Sequence, residues 1–118
     1  MLTRQNMLLV HRRLPEPKTV TIYALEDDAV VGSQVAQYSQ VRSHSSKETA
    51  ELFGPTQQKS CEINVFYAEI NGWVVKPYHV MKVVRVTGIE WWRVDSVTLE
   101  MMDTRFRCIC VPTTAVTE

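Results

Sequence analysis

The feature that most constrains this chain is a pair of apolar runs in its second half, residues 80–86 and 89–99, separated only by Thr87 and Gly88. Two β-branched and aromatic runs joined by two residues ending in glycine specify a β-hairpin. A helix would need a stripe of apolar residues at a 3.6-residue period instead. The same rhythm extends to either side. Residues 61–67 set Cys61, Ile63, Val65 and Tyr67 against Glu62, Asn64 and Phe66, and residues 105–111 set Phe106, Cys108 and Cys110 against Arg105, Arg107, Ile109 and Val111. Alternation of this kind means strands with one side on a core. Residues 19–25, with Val20, Ile22 and Ala24 on one face, read as a first strand. Residues 35–42, diluted by Gln37, Ser39 and Gln40, read as a second. Six short strands in 118 residues specify a mainly all-β fold, a small antiparallel β-barrel or sandwich.

The breaks in the rhythm set the organisation. Residues 26–33 read as an acidic loop, opened by Glu26, Asp27 and Asp28 and carrying Gly32 near its end. Residues 43–60 form a long loop. Within it Ser45 and Glu48 have capping-box spacing, so residues 47–53 make one short helix that Gly54 and Pro55 stop. Loops this long in a small domain are functional or disordered. Asn71 with Gly72, Lys76 with Pro77, and Asp103 with Thr104 mark further turns. The chain thus divides into a basic N-terminal arm (1–18), a β-barrel domain (19–111) and a C-terminal tail (112–118).

Thirteen basic and thirteen acidic residues cancel, which argues against a nucleic-acid binder working by bulk positive charge. The arm nevertheless holds Arg4, Arg12, Arg13 and Lys18 against Glu16 alone, a net +3. The longest apolar stretch near the start, residues 7–10, is too short for a signal-peptide core or a membrane span. With three cysteines, an odd number, the expectation is a cytosolic, soluble chain with reduced thiols and no membrane partner.

Chemistry-bearing patterns are sparse. Cys108 and Cys110 point the same way on a strand, but a C-x-C inside a regular strand lacks the knuckle that structural zinc sites use. His79 alone does not complete a ligand set. Cys61 can be written beside His79 or His44 as a nucleophile and base, yet no local signature supports it. Gly-rich phosphate loops, G-x-S-x-G elbows and H-E-x-x-H pairs are missing from the sequence. The expectation is a non-enzyme with no metal, no cofactor and no catalytic residue. Aromatic residues stand out instead. Trp91 and Trp92 are adjacent on a strand and project to opposite faces, so one fills the core and the other faces out. Phe66 stands on the polar side of its strand, Trp73 lies in a turn region, and Phe53 ends the short helix. These five are the candidate interface residues, because outward aromatics on a sheet commonly mark contact surfaces.

The order of these features resembles tailed-bacteriophage head–tail joining proteins of the head-completion, or stopper, type. The likeness rests on the strand pair around Val20–Ala24 and Ala36–Val41, the linker with Ser46, Lys47 and Glu48, and above all the closing strands. Those run Trp92-Arg93-Val94-Asp95-Ser96-Val97 and then Asp103-Thr104-Arg105-Phe106-Arg107-Cys108. Phe66 and Tyr67 depart from the pattern, since relatives often carry an arginine there. The resemblance implies a structural subunit of the virion neck, assembled in the host cytoplasm. It implies a homo-oligomeric ring, six- or twelve-fold, with portal and adaptor proteins above and a tail terminator or tail tube below. Packaged double-stranded DNA would pass close by. On this reading Glu26, Asp27 and Asp28, with Lys47, Glu48 and Glu51 of the long loop, line the channel. Arg4, Arg12 and Arg13 form a docking arm. A tail-terminator protein is the alternative within virion assembly. A cellular β-barrel binding module or a small thiol hydrolase is the alternative from another class.

Overall fold

The computed structural model describes residues 18–70, 73–100 and 104–116. Six strands form a closed antiparallel barrel: β1 (Lys18–Glu26), β2 (Ala29–Ser43), β3 (Cys61–Phe66), β4 (Val80–Arg85), β5 (Gly88–Glu100) and β6 (Arg105–Pro112). Around the wall the order is β1-β2-β3-β6-β5-β4, so the barrel is two three-stranded meanders joined along the β3–β6 and β1–β4 seams. The expected small all-β barrel is the observed architecture.

Inward positions of the alternating strands meet in one core. Val20, Ile22, Ile63, Val65, Met81, Val83, Val94, Cys108 and Cys110 are each fully buried there. Across the seams Ile22 faces Met81, Ile63 faces Cys108, and Cys61 faces Cys110. A six-stranded barrel has a narrow interior, and small side chains such as valine, alanine and thiols fill it without overpacking. Three bulges bend the long strands enough to close it. Val20 opposes Ala36 while Lys18 opposes Ser39, which leaves one surplus residue in β2 at Gln37–Tyr38. The Glu69 carboxylate, in a 3₁₀ turn (Tyr67–Ile70), accepts both freed amides, from Gln37 at 2.9 Å and Tyr38 at 3.1 Å. The other surplus residues are Val31 in β2 and Asp95 in β5.

The sequence expectations need three corrections of detail. Residues 26–33 are not an acidic loop: β2 begins at Ala29, and only Asp27 and Asp28 turn the chain. They can do so because both adopt left-handed backbone (φ 52° and 64°), which fits a two-residue turn to the twist of the flanking strands. The β4–β5 turn is Val86–Thr87, with Gly88 (φ 145°) already opening β5. Tyr67 does not continue β3 but starts the 3₁₀ turn that bends the chain away. The turns expected at Asn71–Gly72 and at Asp103 lie outside the described residues.

The long loop carries its helix as expected: α1 (Ser46–Phe53), with Ser45 as N-cap. The capping box is complete, since Ser45 Oγ accepts from the Glu48 amide and the Glu48 carboxylate accepts from the Ser45 amide. Such a short helix needs anchoring. Buried Thr49 provides it through Ser60 Oγ at 2.9 Å, and the same hydroxyl lies 2.7 Å from His44 Nδ1. Both ends of the loop are thereby tied together where it enters and leaves the barrel.

Candidate functional site: the β1–β2 hairpin and the barrel end beside it

β3 stops short. Its pairing with β2 covers only Gln40 to Ser43, while β2 continues along β1 as far as Ala29. After β3 the chain crosses the barrel end, where Trp73 and Val75 pack on the core, and reaches the start of β4 on the other side of β1. Two consequences follow for the site.

First, residues 29–36 of β2 have a free edge. In an antiparallel strand every second residue turns its N–H and C=O away from its partner. Among the described residues no backbone group pairs with that edge. The segment from Ala29 to Val41 holds no charged residue and no proline, the usual devices that protect an edge. It also exposes Val31, Val35 and Tyr38 at 50–62%. The edge ends at a tip where Glu26, Asp27 and Asp28 are all exposed.

Second, the barrel end holds two open clefts that share Leu25. One, of about 700 Å³, is lined by Asp27, Asp28, Tyr78, Arg93 and the tail residues 113–116. The other, of about 500 Å³, lies between Glu26 and Val31 on the hairpin and Trp73, Lys76 and His79 on the crossing segment. Tyr78 is the unusual residue here. Its φ is 73°, a conformation that costs a bulky side chain, and its ring is 72% exposed. Its amide donates to the Val94 carbonyl at 2.8 Å, which holds the strained backbone in place. His79 stacks on Trp73 with ring centres 5.3 Å apart, and its Nδ1 accepts the Lys76 amide. The imidazole is therefore a neutral acceptor at Nδ1. Burial, and then the Lys76 charge, push its pKa down.

The expected site residues disperse. Trp92 is the inward member of its pair, 7% exposed and part of the core. Trp91 is half-buried on the outside, tilted on Tyr23 at 5.8 Å with the Lys82 ammonium 5.7 Å over its ring. Trp73 packs on the core, and Phe66 and Phe53 are half-buried. None of these five is a large exposed apolar residue; those are Val31, Val35, Tyr38, Tyr78 and the hairpin residues Val84, Val86 and Ile89, among others. Glu26, Asp27 and Asp28 come together at the hairpin tip. Lys47 and Glu51 are exposed on α1, whereas Glu48 is held by the capping box and by Arg42 at 3.0 Å. Arg4, Arg12 and Arg13 lie outside the described residues. Sequence reading missed Tyr78, Arg93 and the β2 edge. The uncharged run from residue 29 to 41 was the available signal for the last.

No three potential metal-binding side chains cluster among the described residues. All three thiols are buried and free. Desolvation, and then Cys61, raise the Cys108 pKa to about 12 and hold Cys110 well above the ordinary thiol range. His44, the other base weighed for Cys61, is engaged with Ser60. No helix among the described residues is long and apolar enough to cross a membrane.

No protein-family model matches the chain, and no curated protein does. Among solved structures, the solution structure of protein SF1141 from Shigella flexneri 2a, a structural-genomics target, is similar over 83% of this chain and 93% of its own. The TM-score is 0.56 at 15% identity, and what the two chains share at that level is the barrel fold.

Proposed function

We propose that this chain is a non-enzymatic, ring-forming subunit of a tailed-phage neck, of the stopper type, that helps retain packaged DNA and offers a docking face to the tail. The observation that carries this reading is the uncharged β2 edge over residues 29–36, unpaired among the described residues, with its exposed Val31 and Val35. A strand edge of that kind is an aggregation hazard in a free monomer and is safe when another chain covers it. The order of strands and the closing motifs through Trp92 and Arg105 support the family assignment. The copies would form a six- or twelve-fold ring between portal or adaptor proteins and a tail terminator or tail tube. The exposed carboxylates of Glu26, Asp27 and Asp28 suit a surface that passes DNA without binding it, since like charge in a confined channel disfavours adhesion.

The test is to separate DNA-filled, tail-less heads from free tails in a lysate producing the particles, and to find this chain by mass spectrometry. It is expected on the heads. Recovery on free tails would move it to the terminator role, and absence from both would end the viral reading.

A further inference from the structure

We infer that the free edge of β2 receives the N-terminal arm of a second copy, laid antiparallel along residues 29–36, with Arg12 and Arg13 against the acidic tip formed by Glu26, Asp27 and Asp28. The inference deepens the ring reading above and rests on its self-association, not on its viral setting.

Three observations select this occupant. Among the described residues the edge is open from 29 to 36, and the arm's own uncharged apolar run, Met7 to Val10, is long enough to fill the half of it nearest the tip. Strand addition of this type draws affinity from main-chain hydrogen bonds and specificity from alternate side chains. With Arg12 and Arg13 at the tip that run falls opposite residues 29–33, where the exposed Val31 supplies an apolar partner. Charge fixes the direction. Arg12 and Arg13 follow the apolar run by two residues, and the acids precede β2 by one to three. The two charged groups meet only if the strands run in opposite directions.

Geometry then decides between the chain's own arm and a neighbour's. The arm joins β1 at Lys18, which lies opposite Ser39, at the far end of β2 from the acidic tip. Folded back on its own β2 it would run parallel to that strand, leaving Arg12 and Arg13 remote from the tip. Residues 7–13 occupy the slot, so only residues 14–17 link Arg13 to Lys18, an extended reach of about 17 Å. β1 carries the chain about 26 Å from Lys18 to Glu26, so Arg13 falls short of its own acidic tip and meets only one that an adjoining copy brings near Lys18.

The experiment uses the full chain, a variant lacking residues 1–17, Arg12→Glu with Arg13→Glu, and Glu26→Lys with Asp27→Lys and Asp28→Lys. Each is followed by sedimentation velocity and by amide hydrogen exchange of residues 29–36. The full chain is expected to self-associate with concentration-dependent protection of those amides. The truncated chain loses both, each charge variant weakens association by about tenfold or more, and combining the two charge variants restores it. Three results would overturn the proposal. Association unchanged in the truncated chain would leave the ring reading intact but assign the edge to pairing between β2 strands or to another surface. Protection independent of concentration would place the arm on its own chain. A full chain that stays monomeric with an unprotected edge would remove the arm contact and the ring together.

Discussion

Tyr78→Gly tests whether the strained backbone at the barrel end is real and what holds it. For an L-residue with a Cβ, left-handed backbone costs about 1–2 kcal/mol, which glycine does not pay. Against this, glycine loses about 0.5–1 kcal/mol more backbone entropy on folding. The tyrosine ring is 72% exposed, so its removal forfeits little burial, and the amide bond to the Val94 carbonyl survives the change. The sum is a net stabilisation of about 0.5–1 kcal/mol, or roughly 2–5 °C in melting temperature for a domain of this size. Urea unfolding with an unchanged slope, alongside calorimetry, measures it. Tyr78→Ala is the control, because it removes the ring and keeps the positive φ; it should gain nothing. Should glycine and alanine behave alike, or glycine lower stability by about 1 kcal/mol, the strain argument is wrong and the ring itself supports the fold. A gain with Tyr78→Gly would leave the native tyrosine stabilising nothing in the isolated chain, as expected of a residue kept for contact at the mouth of the 700 Å³ cleft.

The tryptophan pair should split by depth. Trp92→Ala costs about 3–5 kcal/mol, the range for emptying a core aromatic site, while Trp91→Ala, on the outer face, costs about 1 kcal/mol; equal losses in urea titrations would refute the register. Acid should weaken the fold in two stages. Burial lowers the pKa of both His44 and His79 below 6.5, aided by Arg42 at the first and Lys76 at the second. In each case the unfolded chain binds the proton more readily, so the contribution is full above pH 6.5 and is lost as pH falls through the depressed folded values. At Glu62, burial raises the pKa, but hydrogen bonds from Arg107 and Asn64 outweigh it and hold the carboxyl below 4.5, so its contribution disappears only as pH falls from about 4.5. Urea midpoints between pH 7.5 and 5 should decline, and His44→Asn with His79→Asn should flatten that decline; an unchanged slope would reject the assignment. The thiols should be inert at pH 8, since thiolate is the reactive form and all three are buried. Labelling with an aromatic disulfide reagent is expected only on unfolding, and one rapidly labelled cysteine in the native chain would reopen a thiol chemistry.

What the sequence displayed and what it hid separate along a physical line. Period-two alternation is a local signal, and it marked β3 and β6, while two apolar runs about a two-residue turn marked β4 and β5. The Ser45–Glu48 box was equally legible, since both capping hydrogen bonds form within four residues. The N-terminal half of β2 was not. Its bulges at Val31 and at Gln37–Tyr38 shift the inward face, so that Ala36, Ser39 and Val41 are buried at spacings of three and two, and no single period runs through them. The glutamate that stabilises the second bulge stands 32 residues away from Gln37. A turn of two consecutive aspartates likewise carries no glycine to announce it, although aspartate tolerates the left-handed backbone that such a turn demands. The five candidate aromatics are less exposed than strand alternation alone suggests. The barrel end, the outer sheet face with Tyr23 and Lys82, and the core give Trp73, Trp91 and Trp92 neighbours within the chain, which no local pattern displays. Part of the apolar surface left exposed, Val31 and Val35, lies along a strand edge, and an edge is a property of which strands stop early. β3 is only six residues long, and that fact about its neighbour, rather than a period within residues 29–36, is what leaves this edge of β2 unpaired among the described residues.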